Sequence, residues 1–549
     1  MRAHLLLATL LLVGCKKSEP TPVTTTPEPG PSADDLALVV TEPDPASYHN
    51  LGTVKLAGTH VGMEAVTVDG SPADADDGAN WSHTISLERG VNTFEVRGDK
   101  GSTFRMARQS VMAGSFGEPS GTIGDAVGVR LNQGGLDAVG GMIAGLIDDA
   151  SLSKTLAKAG PIYESTLLDV DQVVLYFDPI QTQLTPGAGG LDIVLTLPNT
   201  EVWALVDVPL LDPFDVWLTM DSARVTGTID LGTDGSGHLT ADLSSPTVQL
   251  VNFEYDTSLI PGSSLALFDG TIQGVLEDVI LEQLETLVPD LLEEQLATLE
   301  LAFELDLLGT PVSIATDFAH AAVDPQGVQL VADLDVDVDA NGLKAAPGYL
   351  RADVAQPTPN TRDDLTIALS DDLVNRLLYE VWAGGILDLQ LSTEDGSLPS
   401  SYLESFGTEE GTLSIDARMP PVLVQKGAET ELQVGEMLLR LSTPTNSNFT
   451  YIDLALSLSI PVDLEVVDGA LDIDLGAPDL AFIVRDTDWG TVNEEFITEL
   501  LEEQLPIESL LIVLGAISFD LPSIAGLSLE NASIDRDESE VFTNIAAEL

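Results

Sequence analysis

The best candidate for metal chemistry in the chain is a run of alternating acids, Asp333, Asp335, Asp337 and Asp339, that ends in Asn341-Gly342. The spacing Asp337-x-Asp339-x-Asn341-Gly342 copies the front of an EF-hand calcium loop, in which oxygens at alternate positions face one hard cation. Such a loop closes with a bidentate Glu at its twelfth position, where this chain has Gly348, and it needs a helix on each side. The other reading is a solvated strand face running into an Asn-Gly turn. The six histidines include His60, His83, His238 and His320, each standing singly with no HxxxH or HExxH spacing, so no zinc site is expected. Gly232-Thr233-Asp234-Gly235-Ser236-Gly237 has the glycines of a phosphate loop, but it lies between two alternating runs and reads as a hairpin turn. No nucleophile stands beside a recognisable base, so the expectation is a protein that is not an enzyme and uses no cofactor.

Apolar volume remains. Shielding one CH2 group from water is worth about 0.8 kcal/mol, so a 16-carbon tail needs on the order of 12 kcal/mol of cover to cross an aqueous space. Slots between a helix and a curled sheet meet that demand without catalytic groups. Candidate lining residues lie on helix-spaced stripes: Leu136, Val139, Ile143 and Leu146; Ile272, Leu276 and Ile280; Leu373, Leu377 and Val381; and Phe496 with Leu500. Plain core packing is the alternative for each. Ser370 ahead of Asp371 and Asp372 predicts an N-cap with acids at the positive helix end, and Pro289 and Pro506 predict kinks or ends in the two long helices.

These stripes occur in a duplicated frame. A short strand, a polar turn and an amphipathic helix at 127–148 recur at 365–388, and Leu292-Glu293-Glu294-Gln295-Leu296 recurs as Leu501-Glu502-Glu503-Gln504-Leu505. A period near 200 residues is too long for a solenoid, whose units run about 20–50 residues, so the reading is two tandem domains. Strictly alternating runs such as 173–177, 191–197, 202–208, 223–231 and 238–243, matched by 411–419, 436–443, 451–460 and 470–476, predict antiparallel strands of seven to ten residues with one buried face. Each half is thus α+β, a curled antiparallel sheet with two helices. Residues 37–112 carry shorter alternating runs between Gly, Asp, Asn and Pro turns, which predicts a small all-β sandwich. The stretch with Val68-Asp69-Gly70, Trp81 and Gly90-Val91-Asn92-Thr93 is similar to bacterial immunoglobulin-like domains, which implies a stalk or an adhesion module.

With 89 acidic and 22 basic residues the net charge is −67, which excludes nucleic acid as a partner. Hydrophobic residues make up 44% of the chain and mean hydropathy is +0.18, so the acidic surfaces cover sizeable cores. Saline surroundings or divalent ions would relieve the self-repulsion.

The N-terminus carries Arg2 and His4, the apolar run Leu5–Val13, and then Leu12-Val13-Gly14-Cys15, whose cysteine is the chain's single one. That pattern predicts a signal peptide, since the run falls short of the roughly 20 residues needed to span a bilayer. It resembles a bacterial lipoprotein signal, which implies removal of residues 1–14 and acylation of Cys15, a palmitate-type lipid anchor; an ordinary secretory signal with a chance cysteine is the alternative. By the same resemblance, Lys16 in place of an aspartate implies an outer-membrane address, facing the periplasm or the cell surface. Residues 15–36, rich in Pro and Thr, predict an extended tether.

From residue 120 to 549 the order of parts, the Leu369-Ser370-Asp371-Asp372 opening, the Gly384-Gly385-Ile386-Leu387 exit and the closing 519–527 segment resemble the bactericidal/permeability-increasing, lipopolysaccharide-binding and cholesteryl ester transfer protein family. The resemblance implies an elongated boomerang of two barrels joined by a central sheet, an N-terminal barrel at 113–343 and a C-terminal barrel at 344–549. Each barrel would hold a phospholipid or glycolipid by its acyl chains, in a monomer with lipids and an envelope protein as partners. Two features depart from the family. No disulfide can form after Cys15, and instead of a cationic tip there are only scattered residues such as Lys154, Lys158 and Arg224. The function expected is therefore lipid binding or transfer by a membrane-tethered protein, without endotoxin neutralisation. The alternative is a structural or adhesion lipoprotein with dry barrels.

Overall fold

A computed structural model describes residues 36–547 apart from 77–78, 120, 150–152, 154–162, 165–168, 208–211, 259–268, 308–309, 339–343, 345, 353–355, 427–428, 444–448, 468, 490–493, 502–518, 522–531 and 537–541. Cys15, the tether, Asp339, Asn341, Lys154, Lys158 and Pro506 lie outside the described residues.

The fold is α+β. A seven-stranded sheet at the centre contains strands from both halves. Ile123–Leu131 and Leu365–Ser370, the two strands that open the duplicated units, pair with each other antiparallel, Val129 opposite Ile367. Gly327–Val338 flanks the first and Phe542–Ala547 flanks the second, followed by Thr310–Asp324 and Ser533–Arg536 respectively. The sheet is thus built outward symmetrically from the two repeats, and one continuous apolar core runs through both halves.

Each half adds a curled antiparallel sheet wound on two long strands. In the first, Gly190–Asp207 pairs early with Gln181–Gly187 and late with Asp169–Tyr176, while Phe214–Thr233 pairs with Leu239–Val251 and Glu254–Thr257 at its two ends. In the second, Glu429–Ser442 pairs with Val422–Lys426 and then Thr412–Ala417, while Thr450–Val467 pairs with Ala470–Leu475 and Asp479–Asp486. The expected strand lengths of seven to ten residues are corrected here, because the central strands reach 18 and 20 residues. Pro198-Asn199 reads as a break in sequence. In the structure Asn199, at φ 47°, bends the strand without ending it, and the pairing keeps its register from Pro198 opposite Ser222 to Thr200 opposite Met220. Glu436, at φ 45°, occupies the equivalent bend of the second half.

Among the described residues, helix α1 (Gln133–Leu146) and helix α2 (Asp269–Ala297) serve the first half, and helix α3 (Asp371–Ala383) and helix α4 (Glu494–Glu499) the second. Ser370 Oγ accepts the Asp372 N–H at 3.1 Å, the cap expected from the sequence. Helix α2 does not end at Pro289 but runs on to Ala297; Leu284, Val288, Leu292 and Leu296 anchor it on both sides of the missing N–H.

Residues 36–113 form a sandwich of a four- and a five-stranded sheet around Leu56, Trp81, Phe94, Val96 and Val111. It does not hang free, because it is docked on the outer face of the second half. Gln433 Oε1 accepts the Val91 N–H at 2.8 Å, the Glu436 carboxylate accepts the Ser110 N–H at 3.0 Å, and Arg108 donates to the Phe482 carbonyl at 2.6 Å. A small apolar cluster of Met112, Leu350, Met419, Val422 and Val424 seals the junction. The chain leaves the sandwich through Ser115–Gly117, which pairs with Tyr349–Arg351. There a Cβ on Gly348 (φ 148°) would lie 1.7 Å from the Gly117 carbonyl oxygen, so this position admits glycine alone.

Candidate lipid-binding seams

The helix stripes are the deepest part of each half. Leu136, Val139 and Ile143 are fully buried on α1, where Gly140 lets the helix approach Thr182 and Leu184 of the neighbouring strand. Leu276 and Ile280 on α2, Leu373, Leu377 and Val381 on α3, and Leu500 just past α4 are also buried, and Phe496 is half-buried. Leu146 differs: it is 51% exposed at the end of α1. The side chain of Ile272 lies outside the described residues. These residues therefore share one interior but are packed against it, not lining a free surface.

Helix α3 is buried all round, which explains its polar residues. Asn375 makes a reciprocal pair with Leu423, donating to its carbonyl at 3.1 Å and accepting its N–H at 2.6 Å, so it stands in for the strand partner that the edge of Val422–Lys426 lacks. Arg376 pairs with Glu380 at 2.7 Å and donates to the Glu118 carbonyl, and the Trp382 indole donates to the Ala417 carbonyl. Asp372 accepts the Ala352 N–H. Burial pushes its carboxyl up to about 6, against the opposing pull of that hydrogen bond, Arg89 and Arg351.

Half-exposed apolar surface occurs on the strands instead. In the first half Ala223, Val225 and Ile229 are buried, whereas their direct cross-strand partners Leu250, Val248 and Leu243 are only half-buried, as is Tyr255 opposite Leu218. Directly opposed residues share a face, so these side chains point into the curl of the sheet. Helix α2 packs along the same strand, with Glu293 accepting the Ala241 N–H, and it adds the half-buried Val275, Leu287 and Leu291. The second half repeats this arrangement: Leu454, Leu456 and Leu458 are buried, and their partners Val484, Phe482 and Leu480 are only half-buried. Phe496 of α4 is likewise half-buried against the core. Sequence reasoning placed the lining on the helices and missed these strands. The alternation in 247–255 and 479–486 shows an inner face, but not how much of it is covered.

Grooves lined by described residues include one of about 730 Å³ between the sandwich and the second-half sheet, one of about 510 Å³ within the sandwich, and one of about 670 Å³ beside the 233–237 turn. That turn is a hairpin, closed by the Asp234 N–H to the His238 carbonyl at 2.9 Å. Asp337 is exposed on strand Gly327–Val338 opposite Ser313. Among the described residues no three His, Cys, Asp or Glu side chains converge as for a metal ion.

No protein-family description matches the chain. No curated protein sequence matches it either. Among solved structures, lipopolysaccharide binding protein is similar over 77% of this chain and 98% of its own length, at 16% identity and a TM-score of 0.42. P47 of Clostridium botulinum E1 is similar over 78% of this chain and 100% of its own, at 10% identity and a TM-score of 0.25.

Proposed function

We propose that the protein is a membrane-tethered lipid-binding protein that holds the acyl chains of a phospholipid or glycolipid along the two seams and has no catalytic role. The observation that carries the proposal is the repeated row of inward, half-exposed apolar residues: Leu243, Val248, Leu250 and Tyr255 in one half and Leu480, Phe482 and Val484 in the other. These side chains pack against the core but are incompletely covered, which leaves apolar surface that an acyl chain can cover. In this reading Cys15 is acylated, residues 16–36 form the tether, and the protein works from the outer membrane, with transfer between envelope membranes as its wider role. Lipid extraction from protein purified without detergent tests it. One or two lipids per chain support it, and protein that neither carries lipid nor takes up a fluorescent phospholipid refutes it.

The second reading, a structural lipoprotein with dry barrels, draws on the near-complete burial of Leu136, Val139, Leu373 and Leu377. It predicts an apo mass and no uptake.

A further inference from the structure

The end of the second-half sheet carries a continuous group of aromatic rings. Phe406 lies 5.6 Å from Tyr451, 5.1 Å from Trp489 and 5.6 Å from Phe496 between ring centroids. Trp489 stacks on Phe496 at 5.4 Å, and Phe449 meets Tyr451 edge-on at 5.2 Å. Phe406 and Tyr451 are buried, whereas Trp489 is 39% exposed and Phe449 38%. The outer two rings sit where the chain turns at the ends of strands Thr450–Val467 and Asp479–Asp486, and the inner ones continue into the apolar core.

We infer that this aromatic end is a docking surface for a zwitterionic lipid bilayer. Tryptophan and other amphipathic rings settle at the headgroup level of a membrane, with the ring in the apolar boundary and its polar edge in water. Two observations select this occupant. Asp486 and Asp488 are exposed beside Trp489, so an anionic lipid face is repelled, whereas choline or ethanolamine headgroups bring cations to both the carboxylates and the ring faces. Phe496 stacks on the exposed Trp489 and itself packs against the apolar core, so the surface is continuous with the interior of the second half.

The test uses the chain from residue 15 onward with Cys15→Ser, so that no acyl anchor contributes. It should float with phosphatidylcholine vesicles more than with phosphatidylglycerol vesicles. Brominated phosphatidylcholine should quench its tryptophan emission, and the quenched fraction should disappear in Trp489→Phe. The Phe449→Ser/Trp489→Ser variant should lose roughly tenfold in partitioning per ring removed. Phe449→Trp, which keeps the exposed ring and leaves the Trp489 stack intact, should bind at least as well, and melting curves confirm folding of each variant. Undiminished flotation of the double variant, unquenched Trp489 in bound protein, preference for the anionic vesicle, or no flotation at all overturns the inference. Lipid extracted from the double variant separates the two proposals: unchanged cargo with lost flotation supports the tip independently, and flotation through Trp489 by a cargo-free protein supports the tip while removing the carrier reading.

Discussion

Arg536 and Asp371 meet in a two-point ion pair, with Nη1 and Nη2 each 2.7 Å from a carboxylate oxygen. The pair joins the last hairpin of the central sheet to the first turn of α3, and Asp371 is almost wholly buried. Removing the guanidinium takes two charge-assisted hydrogen bonds from a buried carboxylate. Arg536→Ala is therefore expected to destabilise the fold by about 3 kcal/mol. Arg536→Lys should recover only part of this, since an ammonium offers a point charge where the carboxylate uses a fork. Urea unfolding of the two variants checks both statements.

Asp372 gives a pH signature. Its carboxyl is raised by burial to about 6 from an ordinary value of 3.8. A raised acid binds its proton more tightly when folded, so ionisation disfavours the fold. The stability contributed by the neutral form is present below about pH 4, declines as pH rises to about 6, and is absent above that. Asp372→Asn, which keeps an oxygen for the Ala352 N–H, should be more stable than wild type at pH 7 by about 3 kcal/mol at most. That advantage should shrink on acidification to pH 4. An advantage that stays constant from pH 7 to 4 would show that this carboxyl does not titrate as argued.

The sandwich should behave as part of the second half. Glu436→Ala leaves the buried Ser110 N–H without its acceptor, a loss of about 1–3 kcal/mol. Hydrogen exchange should accelerate at residues 108–112 and 433–437 and remain unchanged around α1. Uniform protection after the substitution would mean that the docking does not depend on this bond.

Much of this architecture was legible in the sequence. The duplicated strand and helix openings, the Ser370 cap, the α+β class and the all-β module at 37–112 follow from spacing and turn chemistry. Strand lengths were not legible, because Pro198-Asn199 looks like a break and only the pairing across Ser222 and Met220 shows that the strand continues. The docking of the sandwich was equally hidden, since Ser110 and Glu436 are 326 positions apart and each is unremarkable in its own segment. For the candidate site, the described stripe residues face inward except Leu146, while the side chain of Ile272 lies outside the described residues. Stripe spacing reports which way a side chain points, whereas the half-exposure of Val248 or Phe482 depends on what other elements leave uncovered.

That distinction separates two classes of variant. Leu136→Ala and Leu377→Ala remove fully buried side chains and should each lower stability by about 2–5 kcal/mol. Val248→Asp and Phe482→Asp place a charge on half-exposed surface and should cost less stability while abolishing acyl-chain binding in their respective halves. Thermal unfolding beside uptake of a fluorescent phospholipid distinguishes the classes. Loss of uptake in strict proportion to loss of stability would argue against dedicated seams.

The most direct measurement is native mass spectrometry of the detergent-free protein beside the Val248→Asp/Phe482→Asp variant. The expected result is a wild-type mass carrying one or two lipids and a variant of equal fold content carrying none. A bare wild-type mass, or the same lipid load on both proteins, would contradict lipid binding along the seams.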